Sequence, residues 1–303
     1  WSRFPTCWWP SSVADPLMGP SPWAAASRIL QHTKTPGQKR ITMTHPAAIH
    51  PTAIIDPTAE LDHDVQVGPY SIIGPRVRIG AGTVVGPHVV INGPTVIGKN
   101  NRIFQFASVG EDCQDKKYKG EPTRLEIGDN NVIREHCSIH RGTVQDQSLT
   151  RIGDNNLLMA TVHVAHDCMI GNDNIFANTT GIAGHVHIGD GVILGGMTGV
   201  HQFCRIGSYA MTAGCSLVLK DIPAFVMVSG NPAGARSMNF EGMRRRGWDA
   251  DVVAILRRAY KTVYRQGLTL EQALAELEPQ VATCPQLAMF VDSLRASERG
   301  ITR

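Results

Sequence analysis

Several features are missing from this chain of 303 residues, and each absence narrows its class. No apolar run approaches the ~20 residues that a membrane span needs, and no apolar stretch with a small-residue cleavage site stands near the start. A soluble, cytoplasmic protein with no stable membrane insertion is expected. No Cys-x-x-Cys pair occurs, and the seven cysteines are an odd, scattered set (Cys7, Cys113, Cys137, Cys168, Cys204, Cys215, Cys284). That argues against a disulfide framework and a thiolate zinc site, and leaves small buried residues as their expected role. Tryptophan is scarce beyond residue 42, because Trp1, Trp8, Trp9 and Trp23 are four of the five. Residues 1–42 are rich in Pro and Ser, show no apolar period, and hold five Lys or Arg against one acidic residue. They read as an upstream or non-native leader, with Met43 as the expected natural start; their shortage of acids also fits an organelle transit peptide. The remaining chain has 24 basic and 25 acidic residues, a net charge of −1, so the overall +3 gives no reason to expect nucleic-acid binding.

What is present is a six-residue period. Written in sixes from Ile49, the chain reads IHPTAI IDPTAE LDHDVQ VGPYSI IGPRVR IGAGTV VGPHVV INGPTV IGKNNR IFQFAS VGEDCQ. Every unit opens on Ile, Val or Leu, and Gly is frequent second. The phase breaks at DKKYKGEPTRLE, returns at Ile127, breaks again at QDQSLTR, and resumes at Ile152 to run to about Val228. Repetition on this scale predicts a solenoid, and a hexapeptide period predicts a parallel β-helix. The two breaks predict loops thrown out near 113–126 and 145–151, the first supported by Pro122. The pattern resembles hexapeptide-repeat proteins, which implies three units per triangular coil, a left-handed helix, inward aliphatic residues, and Gly and Asn at corners, some with positive φ.

From about Met238 the pattern becomes helical. Val252, Leu256, Ala259 and Val263 share one helix face within Asp249 to Arg265, and Gly267 is placed to stop that helix. Short helices follow at Thr269 to Glu276 and Gln286 to Ala296. The expected organisation is therefore a leader over 1–42, a mainly β fold over 43–237 and an α-helical domain over 238–303. The helices are expected to cover the last coil, whose open edge would otherwise invite aggregation.

Twelve histidines are present, and His45, His50, His63 and His88 are expected to be ordinary surface residues. The units opening at Val164, Ile182 and Val200 are eighteen residues apart, so they stack on one face and bring His166, His185 and His201 onto successive coils. His163 ends the preceding unit, beside the corner leading to His166. Two chemistries fit: zinc held by three imidazoles with an open position for water, or a histidine general base with the other rings binding substrate. Residues three apart on a flat strand face opposite sides, which counts against His163 and His166 sharing an ion unless a corner intervenes.

The blocks DKKYKGEPTR, IHRGTVQ, NLLMATVHVAHDC, AGHV, GGMTGVHQFC and NFEGMRRRGW, in this order, closely resemble the UDP-N-acetylglucosamine acyltransferases of lipid A biosynthesis. The resemblance covers nearly everything after the leader. It implies transfer of an (R)-3-hydroxyacyl group from acyl carrier protein to the 3-hydroxyl of UDP-N-acetylglucosamine, with no cofactor and no metal, by a homotrimer with clefts between subunits. It implies His166 as general base, Asp167 as its helper and the Gly184 N–H as oxyanion donor. It implies substrate contacts from Gln114, Asp115, Lys117, His163, His185, His201 and Gln202, and nucleotide or phosphate contacts from Asn239, Glu241, Arg245 and Arg246. Gly214 stands where the family has its acyl-chain ruler and, lacking a side chain, predicts a chain of around C12 to C14. Three other readings remain in view: a zinc hydratase of the γ-carbonic anhydrase kind on the same fold, the related glucosamine N-acyltransferase, whose extra N-terminal sugar-binding domain has no counterpart here, and a non-catalytic scaffold. The basic residues Arg244, Arg245, Arg246, Arg257, Arg258, Lys261 and Arg265 would steer an acidic carrier protein.

Overall fold

A computed structural model of the chain describes residues 48–303; the leader, the start at Met43, Cys7 and His45 lie outside the described residues. From Ala48 to Glu111 a short strand recurs about every sixth residue, and the hexapeptide's opening aliphatic is the side chain that points inward. Val67, Ile73, Ile79, Val85, Ile91, Ile97, Ile103 and Val109 are each 2% exposed or less. Three parallel ladders result. The first begins at Ala48–Ile49, the second at Ile54–Ile55 and the third at Glu60–Leu61, so consecutive strands pass from ladder to ladder and every third strand pairs with its like. This is a left-handed parallel β-helix. Aliphatic residues stack on aliphatic residues, as in Ile73 on Ile91 and Val164 on Ile182 on Val200. Full burial of each such side chain is worth roughly 1.5–3 kcal/mol, which is why the period is kept so strictly.

The corners follow the expectation at Asn100, Asn130, Asn155, Gly82 and Gly191, which have positive φ, but not throughout. Positive φ falls mostly on residues with side chains, among them Asn155, Thr161, Asp167, Asp173, Thr179, His185, Phe203 and Tyr209. Except at Asp167, whose N–H donates to the Thr150 hydroxyl, their N–H groups donate to a carbonyl of the neighbouring coil, as His185 does to His166 and Phe203 to Gly184, which offsets the roughly 1–2 kcal/mol of left-handed backbone. The glycine at the second position of the repeat serves close stacking instead. A Cβ on Gly80 would lie 2.8 Å from the Gly98 backbone. Inside the corner between the third and first ladders, the buried Asn101, Asn131, Asn156 and Asn174 form a column. The side-chain oxygen of each of the first three accepts the N–H of the next, and that of Asn174 accepts the N–H of Val192.

Both interruptions leave the coil without breaking its register. Asn101 bonds Asn131 across 30 residues and Asn131 bonds Asn156 across 25, against 18 for Asn156 to Asn174. The excursions span 112–123 and 141–148, shorter at their C-terminal ends than the expected 113–126 and 145–151. Arg124 to Ile127 pairs in register with Leu149 to Ile152, so the ladder reclaims the last residues of each segment. Of the cysteines, Cys113, Cys137, Cys168, Cys204 and Cys284 are buried and Cys215 is exposed.

After the last coil the strand Val226–Ser229 is met antiparallel by Gly234–Met238, a pairing the repeat gave no sign of. Four helices follow: α1 Phe240–Arg245, α2 Ala250–Arg265, α3 Leu270–Val281 and α4 Pro285–Arg295. Within the apolar stripe of α2, Leu256, Ala259 and Val263 are buried. Thr269 caps α3 through a reciprocal capping box with Gln272. Ser293 on α4 accepts the N–H of Ala224, and the Asp221 carboxylate accepts from Ser297, Glu298 and Arg299, which closes the open end of the last coil. Among the described residues no helix is long and apolar enough to cross a membrane.

Candidate active site

The stacking of the coils places the histidines one position apart from the simple column expected of them. His166 is in register with Gly184 and Gln202, while His185 is in register with Asp167 and Phe203, since Val164, Ile182 and Val200 are paired directly. In the strand that leads into this corner, His163 pairs with Gly181, then Gly199, then Leu217. Two side-chain-free positions therefore lie beside His163. The space they leave is an open cleft of about 600 Å3, lined by His140, His163, His166, Gly181, Gly184, Gly199, His201, Leu217 and the loop residues Gln114 and Asp115, with Ala165, Ile182, Ala183, Val200 and Gln202.

His166 and Asp167 are neighbours that face each other because the chain turns between them. Asp167 has φ 58°, so the alternation of a flat strand does not apply at this corner. His166 Nδ1 donates to Asp167 Oδ2 at 2.9 Å. Asp167 is 1% exposed, and its other partners come from the second extruded loop: the Thr143 N–H at 2.8 Å and the Thr143 hydroxyl at 2.6 Å. Burial by itself would raise the Asp167 carboxyl, but the hydrogen bonds from His166 and Thr143 hold it below the ordinary range. With its proton fixed on Nδ1, His166 keeps an Nε2 lone pair that makes no hydrogen bond among the described residues.

The backbone of Gly184 lies against this ring. A Cβ there would stand 2.6 Å from His166 Cε1 and 2.7 Å from Nε2. While the adjacent Ala183 and His185 N–H groups donate to Val200 and His166 carbonyls, that of Gly184 has no acceptor among the described residues. A lone-pair nitrogen and an unspent N–H thus stand side by side at the cleft wall.

Around them, His163 Nδ1 is 2.7 Å from the Ser138 hydroxyl, and its imidazole is pushed down, first by burial and then by His166. His140, which the repeat frame did not single out, packs edge-on to His163 with its Nδ1 buried and unpartnered. Burial, and secondarily His163, push its pKa down to about 4. His201 Nδ1 bonds the Gln202 carbonyl. His50 and His63 make only local contacts with Thr52 and Asp62, and His88 stacks between Tyr70 and Phe106 on an outer edge.

Among the described residues, His166, His185 and His201 do not come together as a three-imidazole set. The group of metal-capable atoms among the described residues is His166, Asp167 and His185, within 4.8 Å of one another, and it omits His201. Within that group both Asp167 oxygens already accept hydrogen bonds, which suits an oriented base better than a ligand set.

Known proteins resemble the chain over the same span. The family described as UDP N-acetylglucosamine O-acyltransferase, domain 2, matches residues 221–302, and that described as bacterial transferase hexapeptide (six repeats) matches residues 149–184. The acyl-(acyl-carrier-protein)–UDP-N-acetylglucosamine O-acyltransferase of Stutzerimonas stutzeri is 63% identical over 255 residues, covering 84% of this chain and 99% of the relative. The chain belongs to the UDP-N-acetylglucosamine O-acyltransferase family. Its solved structures include LpxA of Acinetobacter baumannii, 61% identical with a TM-score of 0.83 over 84% of this chain and 99% of that one. The Arabidopsis acyltransferase is 40% identical with a TM-score of 0.74, over 84% and 100%.

Not every residue that the acyltransferase resemblance singles out meets at the cleft. Lys117 is exposed on the first loop beyond the cleft lining. Asn239 caps α1, accepting from the Gly242 N–H and donating to the Tyr209 carbonyl. Glu241 pairs with Arg244 and Arg245, whose guanidiniums draw its carboxyl down to about 2, and Arg246 lies over the Tyr209 ring. Gly214 is exposed at the corner between the first and second ladders, across the second ladder from His166. His185 also stands outside the cleft lining, behind His166.

Proposed function

We propose that this protein transfers an (R)-3-hydroxyacyl group from acyl carrier protein to the 3-hydroxyl of UDP-N-acetylglucosamine, with His166 as general base. The observation that carries this reading is the pairing of the Asp167-oriented His166 with the unspent Gly184 N–H on one wall of the cleft. A sugar hydroxyl is a poor nucleophile near pH 7. The His166 Nε2 lone pair accepts its proton as the oxygen attacks the thioester carbonyl. Asp167, held charged, stabilises the imidazolium that forms. The Gly184 N–H donates to the carbonyl oxygen as it becomes an oxyanion, and a fixed donor of this kind is worth roughly 3–4 kcal/mol. Collapse of the tetrahedral intermediate expels the carrier thiolate, which takes the proton back from His166. The thioester is already activated, so the residues present suffice for each proton movement.

Gln114, Asp115, His163, His201 and Gln202 surround the reacting groups and serve as substrate contacts. Asn239, Glu241, Arg245 and Arg246 are not among the residues that line this cleft. A homotrimer in which these residues, Lys117 and Gly214 reach a neighbour's cleft accounts for that separation, and arginine pairs suit a diphosphate because their planar donors engage two oxygens at once. Water-soluble substrates and the absence of a membrane-crossing helix among the described residues support a cytoplasmic site of action. The test is product formation from UDP-N-acetylglucosamine and a panel of hydroxyacyl carrier proteins, with mass spectrometry reading the O-acyl product. Transfer to UDP-N-acetylglucosamine is expected; CO2 hydration without transfer would establish the zinc hydratase instead.

A further inference from the structure

Behind the catalytic corner stands a second carboxylate and imidazole that the mechanism does not use. Asp146, on the excursion 141–148, accepts from His185 Nδ1 at 3.0 Å. The turn that presents it is closed by N–H bonds from Asp146 and Ser148 to the Thr143 carbonyl, the residue whose own N–H and hydroxyl hold Asp167. The His185 ring lies flat on Phe203 at 4.4 Å and edge-on to His166 at 5.0 Å, with Nε2 3.9 Å from Asp167 Oδ2. Its side chain is 13% exposed, and it stands behind the cleft wall. His185 is therefore the surface against which both members of the catalytic pair rest, and Asp146 is its only side-chain hydrogen-bond partner among the described residues.

We propose that Asp146 is a positioning residue for acyl transfer: it fixes the proton of His185 on Nδ1 and the plane of its ring, and His185 so held keeps His166 and Asp167 in their reacting geometry. The proposal rests on the assignment of His166 as the base. An imidazole released from Asp146 can turn about its outer torsion, which is broad and roughly two-fold, and its contacts with His166 and Asp167 then change together. The effect belongs to the chemical step, because Asp146 and His185 lie behind the wall that substrate meets.

The test compares kcat and KM of the full-length parent with Asp146→Ala, Asp146→Asn, His185→Ala and the Asp146→Ala/His185→Ala double variant, alongside melting temperatures. Asp146→Ala is expected to lower kcat about tenfold at a KM within about twofold, as for contacting residues that couple. Asp146→Asn should recover most of that loss, since its amide oxygen still accepts from Nδ1–H. In the His185→Ala background, removing Asp146 should change nothing further. The proposal is overturned if Asp146→Ala has the parent's kcat, or if it costs the same factor with and without His185. His166→Ala, run beside these, reports separately on the underlying assignment: an active His166→Ala protein removes the base itself, whatever Asp146 does.

Discussion

Replacing Gly184 with Ala should injure catalysis far more than folding. Gly184 is not in the left-handed region, so alanine can adopt its backbone, but the new Cβ would sit 2.6 Å from His166 Cε1 and 2.7 Å from Nε2. Carbon atoms in contact settle at about 3.5–4.0 Å, so the imidazole must retreat by about 1 Å. The open cleft lets it do so, which places the stability cost at the low end of the roughly 1–3 kcal/mol typical of overpacking. Retreat also pulls Nδ1 away from Asp167, now 2.9 Å distant, and carries Nε2 off the line to the sugar hydroxyl. A displacement of about 1 Å in a reacting group costs on the order of a hundredfold in rate. Steady-state transfer assays should therefore show kcat down about a hundredfold with KM changed by less than about threefold, and melting should fall by only a few degrees. A Gly184→Ala protein within threefold of the parent would refute the placement of the base against Gly184.

Two further outcomes are expected. His140 is held near 4, well below the ordinary histidine value of 6.5, so the unfolded chain takes up its proton first as pH falls. The stability that His140 contributes is present in full above about pH 6.5 and is lost towards pH 4; thermal melting of the parent should therefore decline more steeply between pH 7 and 4.5 than that of His140→Gln, and equal slopes would contradict it. Gly214→Met should shift donor preference from around C12–C14 towards shorter chains in a competition among hydroxyacyl carrier proteins; an unchanged preference, or a parent that favours C10 by tenfold, would remove Gly214 as the ruler.

Much of the fold was legible because each hexapeptide states its inward residue outright: from Ile49 to Ile103 the expected aliphatic is the last residue of every strand, and from Val67 to Val109 it is buried. The α2 stripe was equally plain. What the repeat could not state is which position of the corner bends. His166, His185 and His201 lie on successive coils, as their eighteen-residue frame implies, but in three different slots, His185 one residue after that of His166 and His201 one before it, and that stagger puts Asp167 rather than a third imidazole beside His166. The second-position glycines misled for a related reason: their role is close approach between coils, whereas most left-handed corners tolerate ordinary side chains with an acceptor to donate to. Thr143, Asp146 and His140 were missed because the seven-residue insertion moves them out of the eighteen-residue count. Adding that insertion back aligns Ser138 with His163 across 25 residues and would have placed His140 on the same face.

The role of His166 decides whether this cleft carries out acyl transfer. Single-turnover transfer from a hydroxyacyl carrier protein to UDP-N-acetylglucosamine should fall by three orders of magnitude or so in His166→Ala, within the range expected when a base and its proton path are lost, while the melting temperature stays close to the parent's. A folded His166→Ala protein that transfers acyl groups at the parent's rate would contradict it.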